Sequence, residues 1–493
     1  MLHVMWKNGV RGKLWRILKN LSINLTAKVK TRYGLSRKIE RENGGRQGSR
    51  LAGRLFAKQM DSLSEDFIEN DHLNVHVNNT FSMGCFEFVD DVMTCTLGKK
   101  NQMKVLLKVD EFAQISKLEW GESKCQVMQV GRKVKAPSEW ELGLKRIKNT
   151  TSYKYLGDHI TNDGKNKQTI EKRFNQIQGI IRQINTTASS NIMKAIESKV
   201  ILELYDSCVI PSFLNNAESW TLSASDESEL DKLGIRTLKR LFDLPEKTPS
   251  SAIIYSLGTL YLTQKIDSMK FMYLQKLLKR PDEHWTKKML IHLKSPKIGW
   301  AKNICQKLSD YNLEEDWTKI KNVSKNDWKK SVNAAVFIMN KKKLTENCIE
   351  TVGSTEKVKT KTKYVIDQIN EDSYKGKPLS EIILSNKLRA KTIIIARSGM
   401  LECGKNFRAT IPETCSKCML LDDENHRMNE CLNWNHLNSL GGGSKIDFHD
   451  VYSSDPHKLS VVIDRIRCVW ELSLGKGTMR RRVFNSEHIP NSH

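Results

Sequence analysis

Two adjacent carboxylates, Asp90 and Asp91, interrupt the apolar and aromatic run Phe86-Glu87-Phe88-Val89-Asp90-Asp91-Val92-Met93-Thr94-Cys95. Asp is depleted from strand interiors and enriched at turns, so the run predicts a strand, a tight turn and a second strand, with the pair at or beside the tip. Phe86, Phe88 and Val92 would pack the two strands. Such a tip suits metal-ion chemistry. Nucleotidyl transfer uses two divalent ions about 3.5–4 Å apart to stabilise the attacking and leaving oxygens, and paired carboxylates on a rigid element can hold them. Taken in isolation, an Asp-Asp pair is far more often the solvated turn of an ordinary hairpin. A second cluster, Cys415-x2-Cys418-x7-His426-x4-Cys431, offers the four ligands that a closed, tetrahedral structural zinc site needs, and leaves no position open for catalytic water.

The elements that must position these residues change character along the chain. After Ser49, Leu51, Leu55, Met60, Leu63 and Phe67 share one helical face, and Met103, Leu106, Leu107 and Ile115 repeat that spacing between Asn101 and Lys117. Hairpin strands between two such helices predict an α+β fold, with helices covering one face of the sheet. From Lys165 the pattern is helical. Ile170, Phe174, Ile177, Ile181 and Ile184 form one apolar seam. A second helix is predicted from Asn191 to about Cys208, ending near Pro211. A third is predicted to start at Asp226 as N-cap, with Glu229 three residues on and Leu230, Leu233, Leu238 and Leu241 before Pro245. Residues 276–375 are Lys-rich and carry Trp285, Trp300, Trp317 and Trp328, which read either as a nucleic-acid surface or as anchors of small helical cores. Glu356 to Lys363 reads as a linker or exposed edge, and Gly441-Gly442-Gly443-Ser444 as a flexible joint.

Ahead of the carboxylates stands Arg46-Gln47-Gly48; behind them come Glu119-Trp120-Gly121-Glu122-Ser123-Lys124-Cys125 and Tyr153-Lys154-Tyr155-Leu156-Gly157-Asp158. In this order the blocks resemble the palm of a reverse transcriptase, most closely that of non-long-terminal-repeat (LINE-like) retrotransposons. The Cys-Cys-His-Cys cluster resembles the motif carboxy-terminal to the polymerase in many such elements. The resemblance implies synthesis of DNA copied from RNA. Its partners would be RNA, DNA and deoxynucleoside triphosphates, with Mg2+ at the polymerase site and a structural Zn2+. It also implies roles. Asp90 matches the carboxylate that contacts both ions, and Asp91 its neighbour. Phe88 opens the Phe-x-Asp-Asp box beside the substrate. Gln47 and Gly48, after Arg46, match the turn that lets template and nucleotide approach the backbone. Lys124 matches the lysine that assists the leaving pyrophosphate, and Tyr155, Leu156 and Gly157 the strand that positions the primer end. Without the resemblance, Gln47 is a helix-start residue, Lys124 a surface cation and Tyr155 a core aromatic.

The third carboxylate of that family belongs to an earlier palm strand, ahead of the Arg-Gln-Gly block. No Asp precedes Asp61, which follows the block, and Glu40 and Glu42 belong to the turn leading into it. The expectation is therefore a chain truncated within the palm whose ion cage is incomplete, or a non-catalytic nucleic-acid-binding remnant. The predicted division is a partial palm over 1–157, a helical thumb-like region over 158–275, a basic helical or linker region over 276–375, a zinc-knuckle region over 376–440 and a basic tail over 441–493.

Bulk properties agree with a polyanion partner. The 493 residues carry 81 Lys and Arg against 56 Asp and Glu, a net charge of +25. Residues 1–60 alone hold 15 Lys or Arg against Glu40 and Glu42. A chain this basic is expected to bind nucleic acid rather than an acidic membrane surface. No run of about 18 apolar residues and no signal-peptide core is present, which predicts a soluble protein of the nucleus or cytoplasm with no membrane partner. Most of the 11 cysteines are scattered, as reduced thiols are.

Overall fold

The computed structural model describes residues 2–23, 25–41, 51–78, 81–131, 139–187, 197–352, 355–359, 362–370, 387–398, 401, 414–415, 418–421, 423–430, 446–452 and 455–470. The chain divides into two compact units, Met1–Lys165 and Asn166–His493. Among the described residues no helix is long and apolar enough to cross a membrane.

The first unit mixes helices with short strands. It opens with helices α1 (Leu2–Lys7) and α2 (Gly12–Ser22), then strands β1 (Leu25–Ala27), β2 (Lys30–Thr31), β3 (Gly34–Leu35) and β4 (Ile39–Arg41). β2 and β3 form a hairpin nested inside the antiparallel pair β1–β4. Helix α3 (Ala52–Glu69) is followed by the hairpins β5 (Val75–Asn78) with β6 (Phe81–Met83) and β7 (Cys85–Phe88) with β8 (Asp91–Thr94). After helix α4 (Gly98–Ser116), strands β9 (Gln126–Met128), β10 (Glu139–Leu142) and β11 (Lys145–Thr150) make a three-stranded sheet of order β10-β11-β9. The unit closes with the hairpin β12 (Ser152–Tyr155) and β13 (Asp158–Thr161).

Its core joins Met60, Leu63 and Phe67 of α3 to Val105, Leu106, Val109 and Phe112 of α4, and both to Val127, Trp140, Leu142 and Ile147 of the sheet. The α3 face is the one its apolar spacing predicts, apart from Leu51, which is exposed at the helix entrance. The α4 face differs: Met103, Leu107 and Ile115 point to solvent. The residues that pack are Val105, Leu106, Val109, Phe112 and Ala113, so of the predicted face only Leu106 is buried and the apolar stripe is rotated about the helix axis.

The second unit is helical. The seam of α5 (Lys167–Thr187) packs as predicted, with Ile170, Ile177 and Ile181 fully buried. The next helix does not stop at Pro211. α6 (Ser198–Leu204) runs through a π-helical turn at Tyr205–Val209 into α7 (Ile210–Leu214), with Pro211 in the first turn of α7, where its missing N–H costs least. α8 (Ala224–Phe242) begins three residues earlier than predicted. Ser223 is the N-cap and Asp226 sits at the third helical position, closing a capping box in which each side chain bonds the other's backbone N–H. α9 (Ser250–Leu257), buried on every side, precedes α10 (Leu262–Leu278), α11 (Trp285–Lys294), α12 (Gly299–Asp310), α13 (Trp317–Asn322) and α14 (Lys325–Cys348). Trp317 and Trp328 are core anchors, Trp300 is half-buried with its indole N–H donating to the Glu218 carbonyl, and Trp285 is exposed.

Beyond the ribbon of β14 (Ile349–Val352) and β15 (Thr355–Val358), whose second strand is exposed, lie α15 (Lys363–Asn370), α16 (Lys387–Arg397) and α17 (Pro456–Trp470). One continuous core takes Ile181 from α5, Leu238 from α8, Ile254 from α9, Ile394 from α16, Met428 from the cysteine-bearing segment and Ile463 from α17. The stretches read from sequence as thumb-like region, zinc knuckle and tail thus share one hydrophobic interior.

Candidate functional site

The hairpin β7–β8 carries Asp90 and Asp91 where the strand-turn-strand pattern predicts them. Phe88 pairs with Asp91, which leaves Val89-Asp90 as a two-residue loop. Positive φ at the first loop position alone is the pattern of a type II′ turn, which normally takes Gly there. Here it is Val89, at φ 60°, a conformation that costs a β-branched residue on the order of 1–3 kcal/mol. The strain keeps the tip narrow and its side chains outward: Phe88, Val89, Asp90 and Asp91 are all exposed.

Entry into the hairpin depends on Gly84, where a Cβ would lie 1.7 Å from the Asn74 side-chain oxygen and 2.9 Å from the Phe67 ring. Asn74 is itself held by donating to the Phe67 carbonyl at 3.0 Å.

Alternation divides the hairpin into two faces. Phe86, Phe88 and Asp91 share one; Cys85, Glu87 and Val92 share the other, where Cys85 and Val92 pack against the α3–α4 core. Burial raises the Glu87 carboxyl above the usual range, against hydrogen bonding from Ser64. Burial, reinforced by the Glu87 charge, pushes the Cys85 thiol up to about 12. Asp90 and Asp91 stand apart from this face, and among the described residues no group donates to either carboxylate. Two unneutralised hard oxygen ligands at a fixed tip are a fitting donor set for a hard divalent cation such as Mg2+.

The second hairpin lies beside the first. The Tyr155 hydroxyl donates to the Phe86 carbonyl at 3.5 Å, and the Tyr153 hydroxyl donates to the Lys124 carbonyl at 2.7 Å. Burial raises both phenols, and the negative charge of Asp91 raises them further, so Asp91 acts electrostatically on both rings. Tyr155 ends β12, but Leu156 and Gly157 are not strand residues. They are the two-residue loop between Tyr155 and Asp158, with φ 48° and 92°, and two successive positive φ values are what a type I′ hairpin turn requires.

Lys124 closes a single 3-10 turn, Glu122–Lys124, and is exposed. That loop has an anchor that sequence reading missed. Lys145 donates to the Glu119 carboxylate at 2.8 Å and to the Trp120 carbonyl at 2.7 Å, and its hydrogen bond holds the Glu119 carboxyl below its ordinary value. Lys145 stands in no motif, and Tyr153, which opens the Tyr153 to Asp158 block, has no role assigned there; each owes this task to its place in β11 or β12. Arg46, Gln47 and Gly48 lie outside the described residues.

In the second unit, the ligand atoms of Cys415, Cys418 and His426 all lie within 4.8 Å of one another. Cys431 lies outside the described residues. The two cysteines sit on a tight turn, closed by an isolated bridge between Thr414 and Leu421 and by the Cys415 N–H donating to the Leu420 carbonyl at 2.8 Å. Met419, immediately after Cys418, takes φ 56°, which lets the chain double back. His426 is buried, yet among the described residues neither of its ring nitrogens has a hydrogen-bond partner. A buried imidazole without partners beside two thiols is costly in isolation and is satisfied by a metal ion, so these residues fit zinc. Next to them, Asn429 bonds both the N–H and the carbonyl of Ile446, and Asn425 accepts from the Phe448 N–H.

Residues 11–160 match the family described as reverse transcriptase (RNA-dependent DNA polymerase). No curated protein matches the chain. The matched stretch contains the Phe88-Val89-Asp90-Asp91 tip, the Lys124 loop and the Tyr155 strand.

Proposed function

We propose that the first unit is built for RNA-directed DNA synthesis of the kind found in non-long-terminal-repeat retrotransposons, with Asp90 and Asp91 as carboxylates of the nucleotidyl-transfer site. The observation that carries this reading is the Phe-Val-Asp-Asp hairpin tip, strained and free of competing cations among the described residues, inside a segment that matches reverse transcriptases. Bound Mg2+ would stabilise the attacking and leaving oxygens of phosphoryl transfer. The chain's own residues do the positioning. Asp90 and Asp91 hold the cation, and Tyr155 fixes one hairpin against the other through Phe86. Tyr153 fixes the loop from which Lys124 would meet the negative charge of a leaving pyrophosphate. Phe88 borders the tip on the substrate side. Gln47 and Gly48, after Arg46, would bring the backbone close to template and nucleotide, with Leu156-Gly157 turning the strand beside the primer end.

Two described carboxylates that precede Asp90 in the sequence are engaged elsewhere. Asp61 pairs with Lys58 at 2.8 Å, and Glu87 is on the opposite face of the hairpin from Asp91. With two ligands assigned, the ion cage is weak, so synthesis by this chain should be slow and should rise when a palm strand bearing a further Asp is supplied. In that supplemented protein, Asp90→Ala should reduce Mg2+-dependent extension of a primer on RNA at least about a hundredfold, the scale of losing direct transition-state stabilisation. Extension that survives Asp90→Ala unchanged would refute the assignment. In the second unit, Cys415, Cys418, His426 and Cys431 would hold a structural zinc ion.

A further inference from the structure

The β2–β3 hairpin has no core beneath it. From Thr26 to Glu40 every side chain is exposed except Ser36, which is half-buried. Its backbone is nevertheless closed on itself. Thr31 pairs with Gly34, leaving Arg32-Tyr33 as a two-residue loop, and the Thr31 hydroxyl donates to the Gly34 carbonyl at 3.0 Å while accepting from the Tyr33 N–H at 3.2 Å. Lower down, the Ser36 hydroxyl accepts from the Val29 N–H at 2.8 Å and donates to the Arg37 carbonyl at 2.9 Å. Two-stranded ribbons without a packed face are marginal on their own, so these local bonds give the tip its shape.

The composition of the ribbon defines its partner. Residues 28–38 contain Lys28, Lys30, Arg32, Arg37 and Lys38 and no acid, which complements a polyanion. At the tip, the Tyr33 ring is 85% exposed, and the Arg32 guanidinium lies 4.7 Å from its centroid. A tyrosine ring held in solvent by its own turn, backed by a guanidinium and flanked by cations, is a stacking platform for a base. In a duplex the π-faces of the bases are already covered by their neighbours, so the ring can engage only an unpaired base. A lipid surface fits less well, because no continuous apolar face exists: Leu35 pairs with Lys30 and shares its face, while Val29 points to the other.

We propose that the β2–β3 ribbon is a single-strand clamp, with an unpaired base stacking on the face of Tyr33 opposite Arg32 and the flanking cations following the phosphates. The partner class rests on the charge and tip chemistry of the ribbon, not on the carboxylate hairpin. The test is equilibrium binding by the full chain, without nucleotide or divalent metal, to a short single-stranded RNA, to the same strand bearing abasic residues, and to the matching duplex. Tyr33→Ala should weaken single-strand binding about tenfold, Tyr33→Trp should restore it, and neither should change affinity for the duplex or the abasic strand. Because the assay contains neither nucleotide nor divalent metal, a failed polymerase assignment leaves this result standing. Equal losses on all three nucleic acids, or no loss on any, would overturn the clamp. A Tyr33→Ala loss on vesicles of phosphatidylserine and phosphatidylcholine with none on RNA would also overturn it and assign the ribbon to lipid.

Discussion

The Tyr153 hydroxyl and the Lys124 carbonyl, 29 residues apart, meet at 2.7 Å, so strand β12 fixes the backbone of the loop that presents the Lys124 side chain. Removing the hydroxyl without removing the ring isolates that tie. Tyr153→Phe should cost about 1 kcal/mol, the net worth of one hydrogen bond. It should also speed amide hydrogen exchange at Lys124 and Cys125 while leaving exchange in β7 and β8 unchanged. Unchanged exchange in the loop would show that Lys145 alone holds it.

Val89 adopts a backbone conformation that glycine takes without penalty. The residue is partly exposed, so replacing it sacrifices little packing. Val89→Gly should stabilise the protein by about 1 kcal/mol after the extra unfolded-state freedom of glycine is offset. Denaturant midpoints would measure this. A loss of stability would mean that the Val89 side chain packs more than its exposure indicates.

Lys270, fully buried on α10, donates to the Asn303 side chain at 2.7 Å, near Asp267, which binds Lys307 at 3.0 Å and the Tyr311 hydroxyl at 2.9 Å. Burial lowers Lys270 from 10.5 to about 8, against the pull of Asp267; Lys307 pushes it further down and Glu227 opposes that. Between those values the unfolded chain binds a proton that the folded chain does not, so Lys270 contributes a rise in folding stability with pH from about 8, opposed by the raised thiols of Cys305 and Cys348, which only the unfolded chain ionises near 9. In Lys270→Met this rise should disappear. Denaturant midpoints for both proteins across that window provide the check, and identical slopes would contradict it.

The zinc assignment has a consequence beyond its own loop. Met428, two residues after His426, is fully buried in the core that also holds Ile394 of α16 and Ile463 of α17. The full chain purified without chelator should contain one zinc ion by elemental analysis, and Cys418→Ser or His426→Ala should lose it. Chelator should lower the thermal midpoint of the second unit and speed exchange in α16 and α17. A metal-free protein with the same midpoint would reduce the cluster to coincidence.

Where the sequence was legible, periodicity or turn chemistry acted alone. The hairpin at Asp90, the α5 seam and the α3 face follow from spacing, and the ligand spacing of Cys415, Cys418 and His426 anticipated their convergence. Local competition defeated other expectations. Ser223 out-competed Asp226 for the N-cap because the two together close a box, and a π-turn carried a helix through Pro211. Met103, Leu107 and Ile115 lost to Val105, Val109, Phe112 and Ala113, which occupy the buried stripe of α4 instead. Leu156-Gly157 read as strand because Leu rarely takes the positive φ that the turn demands. The ties made by Lys145 and Tyr153 were invisible, since their partners, the Glu119 carboxylate and the Trp120 and Lys124 carbonyls, are brought near only by the fold.

The large core of the second unit also governs when that unit can fold during synthesis. It spans from Ile170 to Ile466, whereas the main core of the first unit is complete by Ile147. At ribosomal rates the apolar seam of α5 waits on the order of tens of seconds before α17 emerges to finish covering it. During that interval the nascent chain presents Ile177 and Ile181 without their final partners.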